Sequence, residues 1–280
     1  MHPDANLQGT LNASVPVLII NCYNSVSLPP MTKFAHDSIV PDKESHLDKK
    51  QQVAEMFDSI AFRYDFLNRF LSVGIDKGWR KKAINQLKEL NPKKVLDVAT
   101  GTADVAIMTY RLLHPDKIIG IDISEGMLNL GKQKIEKLAL QQQIELCKGD
   151  SEKIDFPDQS FDAITVAFGV RNFGNLEKGL SEMLRVLQPG GKLVVLEFSK
   201  PKQPGFKSLY SLYMNFIAPV IGKLFSKNKT AYQYLNDSVQ AFPEGETFLN
   251  IMNKTGFTHT YLKSLTLGIC TIYCGSKDLY

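Results

Sequence analysis

From Lys93 to Ser199 the chain alternates short strand-like runs with helical ones, and this rhythm constrains the fold more than any other feature. The strand-like pieces are KKVLDVA, KIIGIDI, IELCKGD, FDAITVAF and GKLVVLEFS; the helical pieces are DVAIMTYRLL, GMLNLGKQKIEKLAL and NLEKGLSEMLRVL. The alternation predicts a mostly parallel sheet with helices on both faces, because parallel neighbours need a crossover and a helix usually supplies it. Upstream, residues 50–90 carry apolar residues at helical spacing with a break near Gly74, predicting two helices. Downstream, TFLNIMNKTGF reads as a helix, and THTYLKSLTL and CTIYCGS read as strands paired antiparallel through a tight LGIC link. The expectation is an α/β, Rossmann-like domain with seven strands.

A chain of 280 residues holds one large domain with extensions. Hydrophobic residues at 44% and charged residues at 22% exclude bulk disorder. The first 45 residues differ from the rest. They carry Pro3, Pro16, Pro29, Pro30 and Pro41 without a sustained hydrophobic period, so 1–45 is expected to be a disordered extension and 46–280 the folded domain. Met31 is a candidate native start, an expectation that N-terminal sequencing of Met1 would end. Cys22, Cys147, Cys270 and Cys274 form no CxxC pair and have no matching histidine spacing, so no metal site and no disulfide framework is expected, and the compartment is read as a reducing cytoplasm. No apolar run approaches the roughly 20 residues that span a bilayer, and Val15–Ile20 lacks the flanks of a secretory signal.

Chemistry enters where the first strand stops. LDVATGTADVA, residues 96–106, places the acid Asp97 before a turn of small residues with one glycine, Gly101. In doubly wound sheets the ligand sits beyond the strands' C-terminal ends, beside a helix N-terminus. GxGxxG is absent, and a pyrophosphate would be repelled by Asp97; S-adenosylmethionine, which has a sulfonium, an amino group and no phosphate, suits the acid better. Asp122, at the end of the second strand, can accept from both ribose hydroxyls. Asp150, at the end of the third, can accept from the adenine amino group, with Ser151 beside it. Each acid taken alone could equally cap a helix or turn; three in register at successive strand ends favour a nucleoside ligand. Asp104 reads as a first-turn helix acid and Gln188–Gly191 as a turn.

Two longer stretches, YDFLNRFLSVGIDKGW (64–79) and RVLQPGGKLVVLEFS (185–199), resemble the two signatures of the class I, S-adenosylmethionine-dependent C-methyltransferases of quinone biosynthesis. The resemblance covers roughly residues 50–276. It departs at Leu67, Asp76 and Gln188, where the family often has Met, His and Lys, and at Ala167, which removes a serine contact found in some members. It implies methyl transfer to a ring carbon of demethylmenaquinol, with a ubiquinone-precursor benzoquinol or another small molecule as alternative acceptors. It further implies Thr102 as a cofactor contact in the turn, Asp122 on the ribose, and Asp150 with Ser151 on the adenine. Ala103 replaces a usual glycine, a methyl tolerated where the backbone φ is negative. Arg171, in AFGVRN, would contact the quinol oxygen and ease its ionisation, against the plainer reading of a salt bridge. Tyr64 would hydrogen-bond the quinol hydroxyl or pass its proton to water, and as an aromatic at helical spacing it could equally be core.

An aromatic insertion at about 200–235 carries six lysines and no acid. Its apolar stripe fits either a packed helix or a lid that contacts the polyprenyl tail and an anionic membrane surface. A homo-oligomer is a further expectation. Competing readings are an RNA methyltransferase, suggested by a pI near 8.7, and a nicotinamide oxidoreductase. FGVRN in place of an NPPY-type motif argues against nucleic acid, and the missing GxGxxG argues against the second.

Overall fold

The computed structural model describes residues 34–71, 74–201 and 229–279; side chains 63–71, 229, 230 and 232 fall outside the description. Seven strands form one sheet: β1 (Lys94–Val98), β2 (Lys117–Asp122), β3 (Ile144–Lys148), β4 (Phe161–Ala167), β5 (Leu187–Phe198), β6 (Thr258–Leu265) and β7 (Cys270–Ser276). Their order is β3-β2-β1-β4-β5-β7-β6. β1 to β5 run parallel, and β7 is antiparallel to both β5 and β6, as the alternation and the LGIC link predict. The chain moves outward through β2 and β3, then returns to lay β4 against β1, so the strand order reverses between β1 and β4. Ligands of open α/β sheets bind at that crevice.

Side-chain alternation along the strands divides the core. Leu96, Val98, Ile119, Ile121, Ile164 and Val166 face α5 (Leu176–Val186) and α7 (Glu246–Thr255). Val95, Ile118, Ala163 and Val194 face α2 (Asp76–Ile84), α3 (Asp104–Leu113) and α4 (Glu125–Lys137). Both faces are therefore covered, which is why β1 is buried along nearly its whole length instead of alternating with polar residues. On α5, Leu176, Leu180 and Met183 recur at helical spacing and are fully buried, each worth about 1.5–3 kcal/mol of apolar transfer. Asn175 caps this helix by accepting from Lys178 N–H. α1 (Lys49–Leu71) and α6 (Lys229–Ala241) are the remaining α-helices among the described residues.

Three local expectations are corrected. Residues 34–38 belong to the packed chain: a short 3₁₀ turn at Ala35–Ser38 buries His36 between Phe34 and Phe242, and Lys49 Nζ donates to the His36 carbonyl at 2.6 Å. Apolar contact from single residues, without periodicity, anchors this segment, so no pattern announces it. Gln188–Gly191 lies within β5, where Gly190 at φ 77° and a register shift between Phe161 and Ala163 absorb the expected turn as an irregularity. Ala103 sits at φ 65°, in the left-handed region, so its methyl is held by burial and not by a relaxed backbone. Of the 200–235 insertion, 202–228 lies outside the described residues.

Candidate active site

The C-terminal ends of β3, β2, β1 and β4 open into one cleft of about 660 Å³. Gly101, Asp122, Asp150 and Ser151 line it together, four of the six residues expected on the cofactor side. Asp122 ends β2; its carboxylate accepts from Gly101 N–H at 2.8 Å and from Ser124 N–H at 2.9 Å. Burial raises its pKa and these N–H groups oppose the rise. A carboxylate offers about four acceptor positions, so Asp122 keeps capacity for a ribose hydroxyl beside its backbone donors. Asp150 accepts from Glu152 N–H at 2.8 Å.

The turn after β1 reaches this geometry through three residues with positive φ, Ala99 at 53°, Gly101 at 57° and Ala103 at 65°. Gly169 allows the turn after β4 to come close, since a Cβ there would lie 2.6 Å from Ala99 Cβ. Ala99, Ala103 and Phe168, all non-glycine residues at positive φ, meet at the strand-order reversal, which fits a site whose backbone must approach a ligand.

Asp97 and Thr102 line a second cavity of about 350 Å³, which shares Ala99, Gly101 and Ala167 with the cleft. Asp97 is wholly buried and accepts from the hydroxyls of Thr100 and Thr165, both at 2.6 Å. Burial pushes its carboxyl up to about 6, against the pull of those two hydroxyls and of Arg80. Thr102 Oγ1 accepts from Lys134 Nζ at 2.8 Å, and the same ammonium meets Asp104 at 2.7 Å. Asp104 also pairs with Arg80 at 2.9 Å; burial works against its ionisation, but Lys134 and Arg80 outweigh burial and keep its pKa low.

Arg171 occupies a different place from the one sequence reasoning gives it. Its guanidinium turns inward, pairs with the fully buried Glu197 at 2.7 Å and donates to the Phe168 carbonyl at 2.6 Å. It is absent from the cleft lining; the neighbouring Phe168, Gly169 and Asn172 line that end. Burial raises the Glu197 pKa while Arg171 opposes the rise. Tyr64 lies on the backbone of α1, and its side chain is outside the described residues.

Helix α1 contributes residues that sequence reasoning passes over. Lys50, Val53 and Phe57 line the cleft at helical spacing. Lys50 Nζ bridges Asp150 at 2.7 Å and Glu152 at 2.8 Å. Asp58 accepts from Ser124 Oγ at 2.5 Å and Gly126 N–H at 2.8 Å, fixing α1 to the start of α4. Tyr234 of α6 donates to Asn172 Oδ1 at 3.1 Å behind the turn after β4. The signal for Lys50 and Asp58 was present as polar residues on the apolar stripe of α1; their partners are about 70 to 100 residues away, so spacing within the helix does not reveal them.

The donor and acceptor set fits S-adenosylmethionine: carboxylates at three strand ends, a cleft continuous with a charged side cavity, and a buried Arg80 Nε–H without an acceptor. Sheet order, cleft and acids together are those of a class I S-adenosylmethionine-dependent methyltransferase. The solved structure of such an enzyme from Thermotoga maritima superposes with a TM-score of 0.56 at 18% identity, covering 80% of this chain and 99% of that one, a likeness of fold. The model of the ubiE/COQ5 methyltransferase family matches residues 45–277, and the chain belongs to that family. It is 48% identical over 229 residues to the demethylmenaquinone methyltransferase of Bacteroides fragilis, covering 82% of this chain and 94% of that protein. It is 47% identical over 233 residues to the ubiquinone/menaquinone biosynthesis C-methyltransferase UbiE of Geobacter sulfurreducens, covering 83% and 91%.

Proposed function

We propose that this protein methylates a ring carbon of demethylmenaquinol, yielding menaquinol, with S-adenosylmethionine as donor. The observation that carries the reading is the cleft at the β1/β4 reversal, lined by acids at its nucleoside end and by Phe168, Gly169, Asn172 and Phe173 at the other. Its likeness to the Bacteroides fragilis demethylmenaquinone methyltransferase supports the acceptor.

In this reading Asp122 accepts from the ribose hydroxyls, Asp150 with Ser151 holds the adenine, and Gly101, Thr102 and Asp97 follow the amino-acid arm. S-adenosylmethionine, when bound, supplies an electrophilic methyl group on sulfur. The chain's own task is placement: two reactants held in near-attack geometry can account for roughly 7–11 kcal/mol of barrier lowering. Phe168 and Phe173 give the acceptor ring an apolar wall and exclude water. Arg171, paired with Glu197, grips the Phe168 carbonyl and so fixes the rim beside the acceptor, a positioning role. Tyr64 is assigned to the acceptor hydroxyl, passing its proton toward water. Full activity in Tyr64→Phe would remove that tyrosine from the mechanism, and normal turnover in Arg171→Ala would do the same for the arginine.

The deciding experiment is quinone extraction from a deletion strain. Accumulation of demethylmenaquinone supports the assignment; accumulation of a ubiquinone precursor lacking its ring methyl would move the assignment to the benzoquinol alternative. The polyprenyl tail supports peripheral membrane contact through the lysine-rich 200–235 segment. Flotation with anionic liposomes tests this, and failure to float with or without anionic lipid would end the membrane part. No helix among the described residues is long and apolar enough to cross a bilayer.

A further inference from the structure

We propose that the isoprenoid tail of the acceptor leaves the cleft along the packed rings of Phe168, Phe198 and Trp79 and passes out between Ile75 and Leu267. The inference rests on the acceptor reading above and gives it a route for the tail and a lip that selects for it.

Phe168 lines the cleft at its acceptor end. Its ring centroid lies 4.5 Å from that of Phe198, and Trp79 meets Phe198 edge to face at 6.3 Å. Phe168 and Trp79 are buried, whereas Phe198, the last residue of β5, is half-buried. The three rings pack in one apolar cluster with Leu265 and Cys270, where β6 ends and β7 begins. Trp79 carries the single polar atom of the three side chains. Its Nε1–H donates to Thr266 Oγ1 at 2.7 Å, so the column presents no unpaired donor to a hydrocarbon chain.

That hydrogen bond also fixes where the column ends. It ties the first turn of α2 to the connection between β6 and β7. Cys270 pairs with both Phe198 and Leu265, which sets that connection beside the C-terminal end of β5, the end of the sheet where the cleft opens. An exposed apolar side chain flanks the tie on each side: Ile75, whose carbonyl accepts from Trp79 N–H, is 46% exposed, and Leu267 is 53% exposed. Leu267 has φ 57° and follows Thr266 at φ 45°, left-handed values that leucine and a β-branched threonine rarely take. Strained backbone that turns a leucine toward water improves neither packing nor solvation; an apolar ligand covering that side chain would account for it. A neutral, branched hydrocarbon chain continuous with a ring held against Phe168 is such a ligand.

Kinetics on the full chain test this with two 1,4-naphthoquinols in neutral detergent micelles, one bearing a single isoprene unit and the other a longer geranylgeranyl chain. Wild type is expected to favour the longer acceptor. Leu267→Asn is the telling variant, because asparagine accepts a left-handed backbone, so apolar surface is lost without added strain. It should lower kcat/KM for the longer acceptor roughly tenfold, about the worth of one buried leucine side chain, mainly through KM, and leave the shorter one within about twofold. Ile75→Asn, at a relaxed φ of −68°, should shift the preference in the same direction, and Leu267→Met should keep most of it. Unchanged kinetics with the longer acceptor in Leu267→Asn overturn the proposal, and so does an equal loss with both acceptors. A loss that appears on anionic vesicles but not in micelles assigns the lip to the bilayer surface and overturns the tail route. Wild-type protein that methylates neither naphthoquinol would instead bring down the acceptor reading itself, and this proposal with it.

Discussion

The buried pair Arg171–Glu197 shows how a single residue's burial changes its meaning. An exposed arginine near a cleft reads as a ligand for substrate, whereas one at 4% exposure must first satisfy its own charge. Removing one member of such a pair strands the other, typically at a cost of about 3–5 kcal/mol. Glu197→Ala is thus expected to lower the unfolding free energy extrapolated from urea titration by an amount in that range, and replacing both residues with leucine should recover much of the loss. Asp97 gives a pH signature. Its folded pKa, about 6, lies above the unfolded value near 3.9, so the fold binds the extra proton between them. Its contribution is full below about pH 3.9 and is lost as pH rises through about 6, at up to roughly 1.4 kcal/mol per unit. The stability of Asp97→Asn, followed by denaturant titration from pH 4 to 7, should lack that descending component.

At the scale of elements, α1 and the segment before it decide how the cleft is closed. Lys50 ties α1 to Asp150 and Glu152, and Asp58 ties it to the start of α4. The 34–38 turn is pinned by Lys49, the first residue of the same helix. His36 makes this anchorage acid-sensitive. Burial, with Lys49 adding to it, depresses its pKa to about 3, so it is neutral in the fold and basic near 6.5 when released. The packing it contributes is complete above about pH 6.5 and is lost as pH falls toward 3, again near 1.4 kcal/mol per unit. Limited proteolysis should cut near residues 34–48 progressively faster from pH 7 to 5, and His36→Phe should flatten that dependence. Equal cleavage rates for wild type and His36→Phe across the range would refute the role given to His36.

For the molecule as a whole, the sheet order is what brings residues from four strand ends into one cleft. Ligand binding to the native state alone then stabilises everything built on that sheet. S-adenosylhomocysteine at 100 times its Kd should add about 2.7 kcal/mol and raise Tm by roughly 5–10 °C, a shift that NADH should not produce. Differential scanning fluorimetry with both ligands checks this.

Much of this architecture was legible in the chain because its causes are local. Strand-helix alternation, two faces of buried apolar residues and acids closing three successive strands all follow from periods of two and 3.6 residues and from where each run stops, so β1 to β7, Asp122 and Asp150 were within reach of sequence alone. Distance along the chain hid the rest. Lys50 meets Asp150 across 100 residues, Arg171 meets Glu197 across 26, and whether a charged side chain faces solvent or its counter-ion depends on which strands become neighbours. The sequence set the repertoire of elements and the chemistry at their ends; packing decided which charges are buried, which are paired, and that Arg80 has a donor to spare.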